Sequence, residues 1–159
     1  MIMNMRRAAA LTAITLVPAC SIGQAVQMGD SGALPSSRWQ AAMSSPPSLD
    51  GAVEMAGMAW MANGEQANTT RIEIEIENAA PGGEHPWEVR QGRCGSDRGL
   101  FGSSGDYEPL EVGGDGRATA SATVQQVLPS SGDYSVSVLA APTNRDLVVA
   151  CGNLAPPIA

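Results

Sequence analysis

The chain has no lysine; its nine basic residues are all arginine, against sixteen acids, for a net charge of −7 and a pI near 4.5. Nucleic-acid binders concentrate Lys and Arg on one face, so nucleic acid is excluded as a partner. One histidine cannot build a multi-imidazole metal centre, and three cysteines are too few for a disulfide-stapled scaffold. Aromatic residues make up only 4% of the 159 residues, so a core must rest on Val, Ile, Leu, Ala and Met. No apolar run approaches the ~20 residues a spanning helix needs.

What is present begins with a targeting signal. Arg6 and Arg7 precede the uncharged stretch 8–19, which is a charged n-region followed by a short apolar h-region. The stretch ends in Leu16-Val17-Pro18-Ala19-Cys20, which resembles a bacterial lipobox with Cys20 as the lipidated first residue of the mature protein. The alternative is an ordinary signal cleaved near Ala19. Residues 1–19 are thus expected to be a signal peptide. Residues 20–50, rich in Gly, Ser, Pro and Gln, are expected to be a lipidated N-terminus and flexible tether, with Trp39 and Met43 incidental to it. Setting Cys20 aside leaves an even pair, Cys94 and Cys151. In an oxidising compartment these two are expected to bridge, the alternative being two buried free thiols.

From Gly51 onward, short segments are punctuated by Gly, Pro, Asn and Asp, the pattern of an all-β sandwich or barrel. Residues 71–77 alternate strictly, with Ile72, Ile74 and Ile76 on one face and Glu73, Glu75 and Glu77 on the other. Residues 117–124 alternate likewise, with Ala118, Ala120, Ala122 and Val124 inward. Further strands are expected at 52–62, 85–91, 110–112, 134–140 and 146–151, with 92–106 a Gly- and Ser-rich loop. The domain 51–159 is therefore read as seven to eight antiparallel strands. The Gly113-Gly114-Asp115-Gly116 run is a turn rather than a phosphate loop, since no helical period follows it.

Four blocks in order carry a family resemblance. Residues 82–92, GGEHPWEVRQG, resemble the "PG-x-HGFHVHxxG" stretch of copper–zinc superoxide dismutases. Gly105-Asp106-Tyr107 followed by Val112–Ala118 is similar to that family's "GDL…VGADGKA". Residues 135–140, SVSVLA, stand where it has "SVVVHA", and Val149-Ala150-Cys151-Gly152 resembles its terminal "IACG". The resemblance covers about residues 51–154. It implies a Greek-key β-sandwich, with Cys94 and Cys151 placed like the family's intrasubunit disulfide.

The same alignment removes the family's chemistry. Its two copper histidines fall on Glu88 and Arg90, and the later one on Leu139. The zinc loop is shortened and lacks histidine, and only Asp106 lands on a zinc ligand. The active-site arginine falls on Val148, while His85 aligns with a structural histidine. Neither a metal nor a dismutase activity is expected, and Arg90 is expected to pair with Glu88 or another nearby acid while Leu139 fills space. A serine-hydrolase reading would need His85, without any G-x-S-x-G motif to support it. Met55, Met58 and Met61 could offer thioethers to copper on a helix, but on a strand Met58 faces away and core packing is expected.

The expected function is thus a non-catalytic, lipid-anchored cell-envelope protein, in the periplasm or at the outer membrane. It would touch the membrane through Cys20 and serve as a binding or structural module for an envelope protein. An envelope metal-handling protein is the second reading, and an enzyme of unknown class the third.

Overall fold

The computed structural model describes residues 38–157. The signal peptide, Cys20 and the first part of the tether lie outside the described residues.

Strand β3 (Thr70–Glu77) forms as its alternation dictates, with its isoleucines buried and its acids turned outward. It lies between β2 (Ala56–Asn63) and β8 (Ala118–Val124), both antiparallel to it. Register matches bulk to space along the inner face. Ile72 lies between Met61 and Ala122, Ile74 between Ala59 and Ala120, and Ile76 between Gly57 and Ala118. Ile74 and Ile76 are flanked by small residues on both sides and Ile72 by a small one on the β8 side, so the inner face can curl around a core.

Residues expected in the tether instead form β1 (Trp39–Ser44), which corrects the domain boundary at 51. Its inward residues Trp39, Ala41 and Met43 are buried, and Trp39 is opposite Met61 in the pairing with β2. The connection to β2 contains a single 3-10 turn, Pro47–Leu49. It is closed by the Ser45 amide donating to the Met55 carbonyl and by the Met55 amide donating to Ser45 Oγ. The described compact unit therefore includes residues ahead of 51, from β1 onward.

Pro86 divides the strand expected over 85–91 into β4 (Glu84–His85) and β5 (Trp87–Gln91). β4 leaves the main sheet and pairs with β7 (Leu110–Glu111) as a two-stranded ribbon. The loop 92–106 contains a two-residue strand, β6 (Gly99–Leu100), paired to β5. The last two strands are β9 (Tyr134–Ala141) and β10 (Asn144–Leu154), with register shifts between Asn144 and Ala150.

The protein is all-β. Eight strands make one curled antiparallel sheet, a half-barrel, in the order β6-β5-β9-β10-β1-β2-β3-β8. Strands β1 to β3 follow one another as hairpins, and the final strand β10 lies beside β1, so the first and last strands of the domain are neighbours. Gly152 makes that approach feasible: a Cβ there would stand 2.5 Å from the Ala42 carbonyl oxygen. One core fills the curl. It gathers Trp39, Phe101 and Tyr134 edge to face at 5.5 Å, and Trp87 against Tyr107 at 5.0 Å. The few aromatics are therefore concentrated where they hold the two halves of the sheet together, leaving only Trp60 outside these contacts.

Candidate functional site

Glu88 and Arg90, two of the positions singled out by the family resemblance, lie on the outer face that β5 shares with β9 and β10. Because Trp87 and Val89 point into the core, Glu88 and Arg90 of the same strand point out. Pairing continues the rows across the face, from Glu88 to Ser137 to Cys151 and from Arg90 to Ser135 to Asn153.

The loop after β5 folds back across these rows and is pinned in three places. Cys94 is disulfide-bonded to Cys151, with Cα atoms 6.0 Å apart. The Cys94 amide donates to Asn153 Oδ1 at 2.8 Å. Arg90 Nη1 donates to the Asp97 carboxylate. This cover explains why two serines on an outward face, Ser135 and Ser137, are buried.

Beneath the loop, Glu88 is only 12% exposed at its side chain. Arg90 Nε stands 2.9 Å from Glu88 Oε1 in an ion pair, but its N–H does not point along the contact and makes no hydrogen bond there. Arg145 Nη2 stands 3.6 Å from the other Glu88 oxygen. The expected pairing of Arg90 is thus present twice over, with Glu88 and with Asp97, and Glu88 itself lies between two guanidinium groups. Both arginines are more than a third exposed, so each pair contributes at most about 1 kcal/mol to stability.

The remaining positions do not converge on this pair. The Leu139 side chain is buried, and its amide donates to the Pro86 carbonyl. The Leu139 carbonyl lies 3.0 Å from His85 Nδ1, and since a carbonyl can only accept, that nitrogen carries the proton. Asp106 closes a 3-10 turn, Ser104–Asp106, by accepting from the Ser103 amide at 2.8 Å in a capping box. Among the described residues, no three of His, Cys, Asp and Glu are grouped so as to hold a metal ion. The copper and zinc that the resembled family carries do not fit the residues here. One donor position holds a guanidinium, one a buried leucine, one a carboxylate held by two arginines, and the last a turn cap. Met55 and Met61 are buried in the core, whereas Met58 lies on the opposite face of β2.

Asp97 was missed by sequence reasoning. It sits in a Gly-rich loop with no period, and the disulfide together with the pairing of the loop's far end back onto β5 brings it over Arg90. A groove of about 540 Å³ borders the bridge, lined among others by Ser44, Pro46, Asp97, Ser137 and Asn153.

Tyr107 adjoins the site. Its hydroxyl donates to the Phe101 carbonyl, and burial pushes the phenol well above the usual tyrosine range. The negative charges of Asp106 and Glu88 add to that rise, and a backbone hydrogen bond from Val89 opposes it. The raised value means that the fold favours the neutral form. The resulting stability is complete below about pH 10, where a free tyrosine ionises, and is lost as pH climbs above it. The expected slope approaches 1.4 kcal/mol per pH unit, roughly one proton's worth. Denaturant unfolding between pH 9 and 11 checks this. Tyr107→Phe keeps the ring against Trp87 and is expected to flatten the alkaline limb. An unchanged slope would refute the assignment.

No protein-family model matches the chain, and no curated protein matches it significantly.

Proposed function

We propose that the chain is an exported, lipid-anchored protein of the cell envelope whose β-domain is a non-catalytic binding or structural module, similar to copper–zinc superoxide dismutases in plan but without their metal chemistry. One observation carries this reading. At the positions from which that family aims copper-binding imidazoles, Arg90 lies between Glu88 and Asp97, and a disulfide-pinned loop covers them. A guanidinium fixed in the middle of the site repels a cation and offers no lone pair. The anchor rests on the residues 6–20 and their lipobox-like end. The metal-handling alternative loses support because Met58 faces away from Met55 and Met61, so the three thioethers share no site.

Calorimetric titration of the purified protein with Cu²⁺ and Zn²⁺ tests the first part. No binding tighter than micromolar and no dismutase activity are expected. Stoichiometric tight binding that disappears in Glu88→Ala would overturn the reading. Membrane fractionation tests the second part. The wild type is expected with membranes, and Cys20→Ser is expected to be released or to fail to mature. A wholly soluble wild type without acyl mass on Cys20 would sink the anchor.

A further inference from the structure

The two edges of the main sheet are unlike. β6 ends it with two residues, whereas β8 ends it with seven, Ala-Thr-Ala-Ser-Ala-Thr-Val. Only β3 pairs with β8, through an unbroken register, so alternate backbone N–H and C=O groups of β8 face outward with no strand beside them among the described residues. Exposed edges are usually blunted by a lysine, a proline or a bulge, and β8 has none of these.

A groove of about 890 Å³ runs along the first four residues of this edge. Residues 118–121 form one wall; Glu108, Pro109, Glu111 and Asp115 stand on the other. The second wall is set by the turn 113–116. There the Gly113 amide donates to the Arg117 carbonyl, and Gly116, with φ +76°, reverses the chain toward Ala79. Beyond that hairpin β7 leaves β8 to pair with β4, and the gap opens. Glu108 and Glu111 are exposed and have no ion-pair partner among the described residues. The one cation on the groove, Arg117, is held by Glu77 at 2.8 Å. The groove is therefore acidic beside a strand edge that no other strand pairs among the described residues.

We propose that this edge is a docking site for an extended basic segment of an envelope protein, which adds to the sheet as a further strand beside β8 with its Lys or Arg side chains against Glu108 and Glu111. The proposal rests on the reading of the domain as a binding module and names its partner's chemistry. Charge decides against the other occupants. A second copy would bring the same acidic wall, and residues 21–37 of this chain contain Asp30 and no basic residue.

The test uses the full chain and synthetic peptides matched in length to β8. One alternates Lys with Val, one alternates Glu with Val, and one is the Lys peptide N-methylated at alternate amides, which keeps charge and blocks strand pairing. The Lys peptide is expected to bind and to slow hydrogen exchange of β8 amides but not of β6. N-methylation is expected to weaken it about a hundredfold, through loss of two or three backbone bonds. The double variant Glu108→Gln, Glu111→Gln, at exposed positions that leave the fold intact, is expected to weaken it about tenfold. Equal binding of the Glu peptide or of the N-methylated peptide would overturn the proposal, as would protection away from β8. Protection that appears without peptide and grows with protein concentration would assign the edge to a second copy and overturn it too. Failure here leaves the anchored module intact, because fractionation and metal titration decide that separately.

Discussion

Replacing Cys94 or Cys151 with serine is expected to lower the unfolding free energy by about 4 kcal/mol, within the 2–5 kcal/mol usual for a small exported domain. The bridge spans 57 residues of sequence. Cutting it frees that loop in the unfolded chain, and the chain-entropy model puts the effect for a loop of this size near the stated figure. A second consequence is local. The bridge holds the loop that brings Asp97 over Arg90, so the serine variants should also expose Ser135 and Ser137. Urea unfolding of wild type and variants without reductant gives the first effect, and hydrogen exchange at β9 gives the second. A midpoint that does not move, or free-thiol labelling of both cysteines in the native protein, would refute the prediction.

Trp39→Ala is expected to cost about 3–5 kcal/mol, the range for truncating a fully buried large aromatic. Trp39 is 0% exposed, stacks edge to face on Tyr134, and donates from Nε1 to the Pro129 carbonyl at 3.0 Å. The alanine variant leaves a cavity and also removes the partner of that carbonyl. Trp39→Phe, which keeps most of the volume but loses the hydrogen bond, should recover much of the loss. A chain beginning at residue 51 makes the same point more severely. It lacks β1, so β2 and β10 lose the strand between them and the sheet is split in two. That truncation is expected not to fold, as read by a missing cooperative transition. A stable truncated domain would show that β1 is dispensable.

The β1 case marks where local reading fails. The pattern Trp-Gln-Ala-Ala-Met-Ser does alternate in burial. On paper, however, alanine and serine are indifferent to strand formation, and Gly, Ser and Pro surround the segment. Its strand character comes from neighbours that are distant in sequence: β2 on one side and, at Ser44, Cys151 of β10 on the other. Pro86 was legible as a break but lay inside an otherwise convincing alternation. The ribbon of β4 and β7 that it permits depends on His85 meeting Leu110.

The candidate site divides in the same way. Glu88 and Arg90, two apart on one strand, were bound to share a face, so their pairing followed from period alone. The even pair Cys94 and Cys151 followed from counting. The roles of Asp97 and Arg145 could not, because each reaches the site from a loop or strand end whose path is decided by the disulfide and by register shifts in β10. The bare edge of β8 is likewise a fact about sheet order, not about the residues of β8. By itself the sequence determined the all-β class, the alternating strands β3 and β8 and the presence of a single imidazole, since each depends on residue identity or on a period of two. The tertiary structure alone decided the β1 strand, the loop folded over Glu88 and Arg90, and the open edge, because each depends on which distant segments meet.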